Sequence, residues 1–190
     1  MNDASAHAPA PAICVIAVIG AGKAGRSFAM ACASAGFYVV LEDVMPSNLR
    51  TAEMEYADLS VRGGYGELEL ASTVEGAVRE ADIVVDFVPD ELESKLEIFS
   101  MADRMAPPKT ILCTPSRALS ITDLASCVYR PERCFAIRGE ILKGSPVEIL
   151  YPPSAAPDVL HSVEDLFRKL GTVPEAQADP EAAVLTKNLT

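Results

Sequence analysis

Ile13-Cys-Val-Ile-Ala-Val-Ile-Gly-Ala-Gly-Lys-Ala-Gly25 runs from a β-branched apolar segment straight into three glycines with G-x-G-x-x-G spacing. Small and apolar residues then recur with helical spacing from Ser27 to Ala35. Gly36 closes that segment, and Phe37-Tyr-Val-Val-Leu41 follows as a second apolar run. The order is strand, tight turn, helix, strand, which presents a helix N-terminus and free backbone N–H groups to a pyrophosphate. Gly20 permits the turn, Gly22 lets phosphates approach the backbone, and Gly25 lets helix and strand pack closely. Asp43 lies 23 residues beyond Gly20, about where a carboxylate accepts hydrogen bonds from an adenosine ribose. Three glycines alone also mark ordinary turns. Here strand, helix, second strand and acidic end fall in register, and the unit reads as a dinucleotide-binding turn.

Outward from this unit the alternation continues. Pro46 opens a short helix that ends by Arg62-Gly-Gly-Tyr-Gly66, and Glu67-Leu-Glu-Leu70 alternates like a short exposed strand. Val74 to Arg79 is a brief helix, and Ala81-Asp-Ile-Val-Val-Asp-Phe-Val88 is a buried strand stopped by Pro89. Glu91 to Met105 carries apolar residues at 92, 96, 98, 99 and 105, a helical stripe with an acidic N-terminus that suits the helix dipole. Pro107-Pro108 breaks it. Thr110-Ile-Leu-Cys113 is the next strand, and Thr122 opens a short helix. Cys134-Phe-Ala-Ile-Arg138 and Val147-Glu-Ile-Leu150 read as further strands, and Pro157 to Leu170 as a helix capped by Gly171. Asp179-Pro180 offers an N-cap followed by proline at the first helical position. Strands alternating with helices predict an α/β fold with a doubly wound, mostly parallel sheet. One domain is expected over residues 13–174. An Ala/Pro-rich lead-in over 1–12 is expected to be disordered, and a short C-terminal tail or helix is expected over 175–190.

Composition narrows the function. Hydrophobic residues make up 49% of the 190 and aromatics only 6%, so the core must be built from Ala, Val, Ile and Leu, as a buried parallel sheet requires. A net charge of −11 argues against nucleic acid or an anionic membrane as partner, so a phosphate-rich ligand must be held by local donors. Five cysteines are scattered with no C-x-x-C pair and no metal-like spacing. Cys14, Cys32 and Cys113 fall in apolar runs and read as small buried hydrophobes, and a reducing cytoplasm fits best. No Lys or Arg precedes Lys23, so a secretory n-region is not expected, and the apolar run from Ile13 is interrupted by glycines well short of a membrane span.

Thr110-Ile-Leu-Cys-Thr-Pro-Ser-Arg-Ala-Leu-Ser-Ile-Thr-Asp-Leu-Ala125, followed by Arg130-Pro-Glu-Arg133, resembles the NAD-binding Rossmann domain of 3-hydroxyacyl-CoA dehydrogenases. The likeness runs from about residue 13 to residue 174. It includes Ala81 to Phe99 with Lys95, Val147-Glu-Ile149 and Leu170-Gly-Thr-Val-Pro174. The resemblance implies NAD as cofactor and a place in fatty acid metabolism. It assigns Gly20, Gly22 and Gly25 to the pyrophosphate, Asp43 to the ribose, and Val88 and Pro89 to the nicotinamide side. Lys95 stands at the family's lysine position and would reach the cofactor; read from its neighbours alone, it is equally a solvated partner for Glu91 or Glu97. Glu42 and Asp43 would repel a 2′-phosphate, favouring NAD over NADP.

The resemblance also implies a missing catalyst. Oxidation of a secondary alcohol needs a proton acceptor titrating near neutrality, and the family uses a His–Glu pair. This chain has two histidines: His7 in the lead-in and His161 on a late helix read as a surface position. The family's histidine position holds Arg138, which cannot accept a proton at pH 7, and its asparagine position holds Ile141. The family's Asn-Thr-Ser-Ser, whose serine binds substrate oxygen, appears as Pro115-Ser116-Arg117-Ala118. Glu148 keeps the glutamate position, the one catalytic candidate, and with Arg138 opposite it reads as half of an ion pair. Pro46 to Gly66 is too short for the family's CoA-binding hairpin, and the family's helical C-terminal domain is not expected after Asp179. The expectation is an NAD-binding protein without the ordinary dehydrogenase activity as a lone chain, acting as a redox sensor or an assembly subunit. Such a protein has NAD(H), a protein partner or a second copy of itself as partners, and no metal. The alternative is an NAD-dependent oxidoreductase acting on a 3-hydroxyacyl-CoA or 3-hydroxy acid, its cleft completed by a partner chain; Arg138 and Arg117 would then clamp a substrate carboxylate.

Overall fold

The computed structural model describes residues 12–61, 63 and 66–179. The apolar runs become strands β1 (Val15–Ile19), β2 (Tyr38–Glu42), β3 (Leu68–Ala71), β4 (Ile83–Asp86), β5 (Ile111–Pro115), β6 (Cys134–Arg138), β7 (Pro146–Tyr151) and β8 (Val173–Ala178). Between them lie α1 (Lys23–Ser34), α2 (Pro46–Ser60), α3 (Val74–Val78), α4 (Leu92–Met105), α5 (Ile121–Ala125) and α6 (Pro157–Lys169). The sheet order is β3-β2-β1-β4-β5-β6-β7-β8, parallel except where β7 runs antiparallel to β6. The chain therefore reverses its direction of travel between β1 and β4, and a crevice opens beyond the C-terminal ends of the strands at that point.

Two apolar layers cover the sheet. Ile16, Val18, Val39, Leu41, Ile83 and Val85 pack with α1, α2 and α6 on one face. Ala17, Ile19, Val40, Val84, Leu112 and Ala136 pack with α3, α4 and α5 on the other. Burial on both faces explains the near-continuous apolar strands of the sequence. Phe28 joins α1 to the strand ends, its ring 5.4 Å from that of Phe87 and 6.4 Å from that of Phe167. The Arg130-Pro-Glu-Arg133 motif is structural. Arg130 Nε donates to Asp103 Oδ1 at 2.6 Å, and its other nitrogens donate to the Pro107 and Asp103 carbonyls, tying off the end of α4 where the prolines stop it.

Three expectations change. Residues 175–178, assigned to a tail, belong to β8, which pairs in parallel with β7 from Pro146↔Val173 to Tyr151↔Ala178. Val-Pro-Glu-Ala-Gln-Ala offers only small alanines between Glu and Gln and is mostly exposed; backbone hydrogen bonds hold it, so no buried side-chain pattern announces it. Asp179 caps a helix, but one distant in sequence: its Oδ2 accepts from Ser120 Oγ at 2.7 Å and from Thr122 N at 2.8 Å at the start of α5. The helix expected after it, like the lead-in over 1–11, lies outside the described residues. Cys14 is exposed, although Ile13 beside it is buried in the core, whereas Cys32, Cys113 and Cys134 are buried, and burial pushes all three thiols up, leaving them unreactive.

Candidate functional site

The turn after β1 is fixed by three backbone contacts. Gly20 adopts φ +97°, and its N–H donates to the Glu42 carbonyl at 2.9 Å. Phe87 N donates to the Ile19 carbonyl at 2.7 Å, bringing the end of β4 against the turn. A Cβ on Gly25 would stand 1.8 Å from the Gly20 carbonyl oxygen, so α1 lies directly on the turn. Gly22 differs from both. It is the N-cap of α1, has ordinary φ and ψ, and a Cβ there would meet nothing within 4 Å. No side chain caps α1 and its first turn holds no acidic residue, so its leading N–H groups and the positive end of its dipole face open space. That arrangement accepts an anionic oxygen.

Asp43 sits just beyond β2 and is only 9% exposed. Its Oδ2 accepts from Ala21 N at 2.8 Å and Asn48 Nδ2 at 3.0 Å, and its Oδ1 accepts from Met45 N at 2.7 Å. The carboxylate thus joins the glycine turn to the start of α2. Arg26 reinforces the joint, its Nη1 on the Ala21 carbonyl at 2.8 Å and its Nε on Glu55 at 3.1 Å. Burial alone would raise the Asp43 carboxyl. The hydrogen bonds from Asn48, Met45 and Ala21, with Arg26 nearby, outweigh it and hold the group below the usual carboxylate range. Neighbouring Glu42 has no such donors among the described residues, and burial followed by the Asp43 charge pushes it up.

The sign of the Asp43 shift gives a stability prediction. A depressed carboxylate stabilises the fold above its unfolded pKa, and that contribution fades as pH falls through its folded value. Asp43→Ala leaves the buried Ala21 N–H without its acceptor and is expected to cost about 1–3 kcal/mol at neutral pH. Asp43→Asn should flatten the acid limb of the melting-temperature profile between roughly pH 5 and pH 2. Thermal melts across that range check both, and an unchanged acid limb in Asp43→Asn would remove Asp43 from the turn's support.

Beyond the turn lies an open cleft of about 880 Å³, bounded by Lys23 and Ser27 of α1 and by the loops after β4, β5 and β6. Val88 and Pro89 lie on the β4–α4 loop, Val88 half-buried against the core and Pro89 exposed. Lys95, expected to reach the cofactor or to be a solvated partner for Glu91 or Glu97, is buried and pairs with neither glutamate among the described residues. It is 1% exposed, and its Nζ stands 2.7 Å from Oδ1 of Asp86, which is 0% exposed at the end of β4. A charge buried at a strand end needs a counter-ion far more than surface glutamates do, and α4 supplies it. Burial pushes the Asp86 carboxyl up; Lys95, the Thr114 hydroxyl and the Val88 N–H act against that. Asp86 was the residue sequence reasoning missed; an acid ending the run Ile83-Val-Val-Asp86 was the available signal.

Arg138 and Glu148 are directly opposed in the β6–β7 ladder, but no ion pair within 4 Å joins them among the described residues. Arg138 Nε instead donates to the Ser116 carbonyl at 3.2 Å, and Arg138 lines the cleft, whereas Glu148 is exposed and does not. Arg117 also lines the cleft, its backbone N–H on Asp90 Oδ2 at 2.9 Å. Lys23, Asp90 and Glu140 complete the ionisable lining. His161 is at the surface of α6 beside Glu164 and Asp165.

Comparison with known proteins places these features. A family model described as the NAD-binding domain of 3-hydroxyacyl-CoA dehydrogenase matches residues 15–179. The chain is 35% identical over 131 residues to a probable 3-hydroxybutyryl-CoA dehydrogenase of Bacillus subtilis (strain 168), covering 62% of this chain and 45% of that protein. It is 31% identical over 175 residues to the lambda-crystallin homolog of Bos taurus, covering 84% of this chain and 54% of that one. The crystal structure of a 3-hydroxyacyl-CoA dehydrogenase from Archaeoglobus fulgidus superposes with a TM-score of 0.76 at 26% identity, covering 92% of this chain and 60% of that chain. The chain spans about half the length of the curated relatives it matches.

Proposed function

Because the chain belongs to the 3-hydroxyacyl-CoA dehydrogenase family through that family's NAD-binding domain, we propose that it binds NAD(H) in the cleft and lacks the ordinary dehydrogenase activity as a lone chain. The pyrophosphate would lie across Gly20, Gly22 and the start of α1, where the space a Gly22 Cβ would fill is open. Asp43 would hold the turn and offer its remaining acceptor capacity to the ribose; Val88 and Pro89 would flank the nicotinamide. When bound, NAD supplies the hydride acceptor.

The observation that carries the second half is the lining of the cleft. Lys23, Asp90, Arg117, Arg138 and Glu140 are its ionisable residues among those described, and Arg138 stands where the sequence resemblance puts the family's base. An arginine binds an oxyanion but does not take the hydroxyl proton. Such a protein reports the NAD(H) ratio or contributes cofactor binding to an assembly. One observation favours a second reading, an oxidoreductase whose cleft a partner chain completes: the cleft extends past the strand ends as far as Ile141 and Leu142, leaving room for a substrate beyond the cofactor.

The test is titration of the purified chain with NADH and NADPH, followed by cofactor fluorescence. Saturable NADH binding is expected, with NADPH weaker by roughly 100-fold because Glu42 and Asp43 close the β2 end to a 2′-phosphate. No saturation at millimolar NADH would refute the reading. With acetoacetyl-CoA added, no NADH oxidation is expected. Turnover that Arg138→Ala abolishes would overturn the inactive reading in favour of the oxidoreductase.

A further inference from the structure

We infer that Lys23 is an affinity-determining contact for the dinucleotide, its ammonium meeting the pyrophosphate beside the glycine turn. The inference rests on the cleft being the NAD(H) site and adds a residue that glycine spacing does not mark.

Three observations carry it. First, Lys23 is the cation left over at the head of α1. The first turn of that helix holds two basic residues, Lys23 and Arg26. Arg26 is spent on the scaffold, its Nη1 on the Ala21 carbonyl at 2.8 Å and its Nε on Glu55 at 3.1 Å. Lys23 is exposed and lines the cleft. Among the described residues its ammonium has no hydrogen-bond partner and no carboxylate within 4 Å, in a chain whose net charge is −11.

Second, its position works against folding. A lysine in the first helical turn adds positive charge to the positive end of the dipole, where Asp or Glu is the stabilising choice. The first turn of α1 has no acidic residue and no side-chain cap to offset that repulsion, whereas a bound anion would relieve it. Cα–Cβ bonds lean toward the N-terminus of a helix, so a lysine at the first helical position starts toward the open space that a Gly22 Cβ would fill.

Third, no other cation lines that side of the cleft among the described residues. Asp90, Arg117, Arg138 and Glu140 stand at or beyond the ends of β4, β5 and β6. In the order β1-β4-β5-β6 the two arginines are two and three strands from the glycine turn. At about 4.8 Å per strand that is roughly 10 and 14 Å. A chain of net charge −11 offers no general positive field to a ligand with two anionic phosphates, so the attraction must be local. Lys23 supplies it.

The test is NADH titration by cofactor fluorescence at about 20 and 500 mM salt, with the parent, Lys23→Gln and Lys23→Arg, beside cofactor-free thermal melts. Lys23→Gln is expected to bind NADH about tenfold more weakly at low salt, and within about threefold of the parent at high salt, where the ammonium is screened. Lys23→Arg keeps the charge and should stay within about threefold of the parent at both. Without cofactor, Lys23→Gln should melt at or above the parent, because the repulsion at the head of α1 is gone. A lysine that only supported the scaffold would lower both readouts together. ADP-ribose, which keeps the pyrophosphate and lacks the nicotinamide, should weaken by the same factor as NADH.

Full NADH affinity in Lys23→Gln at low salt overturns the contact, as does a melting temperature more than about 2 °C below the parent. Loss for NADH without loss for ADP-ribose also overturns it, moving the ammonium to the nicotinamide. Should the parent fail to saturate with NADH, the cofactor reading falls separately. ADP-ribose then decides the contact: binding that depends on Lys23 supports it, and binding that ignores Lys23, or none, overturns it.

Discussion

Gly25→Ala is expected to lower the melting temperature by about 6–12 °C and to weaken NADH binding at least about 100-fold. The new Cβ would lie 1.8 Å from the Gly20 carbonyl oxygen and 3.0 Å from its carbonyl carbon. Both are backbone atoms, so no side chain can rotate away. Reaching even 3.0 Å from the oxygen requires an opening of about 1.2 Å between helix and turn. The turn cannot yield easily, because Gly20 N is bonded to Glu42 O and a Cβ-sized space on its other side is closed by the Phe87 carbonyl at 3.2 Å. Helix α1 must therefore lift, taking Phe28, Ala29 and Cys32 partly out of their packing, at a cost of about 3 kcal/mol. The same movement carries the free N–H groups of α1 away from where a pyrophosphate would meet them, and each such charged hydrogen bond is worth about 1.5–3 kcal/mol.

Gly22→Ala separates folding from binding. Its φ of −63° and ψ of 178° suit alanine, and nothing in the protein stands within 4 Å of the new Cβ. Its melting temperature should equal or slightly exceed that of the parent, since alanine narrows the unfolded ensemble by about 0.4–1 kcal/mol. NADH should nevertheless bind at least about tenfold more weakly, because the methyl occupies the cofactor's approach. Unchanged NADH affinity in Gly22→Ala would move the pyrophosphate elsewhere, and a Gly25→Ala protein melting within 2 °C of the parent would refute the rigid contact between α1 and its turn.

What the sequence discloses follows the physics of each signal. The turn at 20–25 was legible because it superimposes three independent patterns, a β-branched run, glycine spacing and a helical stripe, on one short segment. The position of Asp43 was legible as well, but its role as the clamp between turn and α2 depends on Ala21, Met45 and Asn48 converging on one carboxylate, which spacing does not reveal. Strand β8 carries its information in the backbone, with Glu175, Ala176 and Gln177 exposed, so hydropathy is silent there. Cys14 shows the opposite error: an apolar run reads as buried throughout, whereas at its start Ile13 faces the core and Cys14 faces outward. The sequence predicts an ion pair between Arg138 and Glu148; the ladder sets them opposite each other, but the Ser116 carbonyl captures the guanidinium, and only coordinates rank those two acceptors.

Lys95→Met is expected to destabilise the chain by about 3–5 kcal/mol, because it strands a carboxylate in a site with no solvent. Asp86 is 0% exposed and Lys95 1%, and the 2.7 Å contact between them links the end of β4 to the second turn of α4. Without the ammonium, burial has no opposing charge and the Asp86 carboxyl rises further. A group whose folded pKa is raised contributes stability at low pH and loses it as pH rises through the folded value. Lys95→Met should therefore recover stability on acidification, whereas the parent should not do so to the same extent. Asp86→Asn combined with Lys95→Met removes the stranded charge and should regain most of the loss. Asp86→Leu with Lys95→Met, apolar at both positions, should approach or exceed the parent. NADH titration separates scaffold from cofactor contact. If the pair only fixes the loop carrying Phe87, Val88 and Pro89, the charge-free double variant binds NADH within about threefold of the parent, under 1 kcal/mol. A Lys95→Met protein that melts like the parent but binds NADH about tenfold more weakly would return Lys95 to the cofactor and leave Asp86 without its proposed counter-ion.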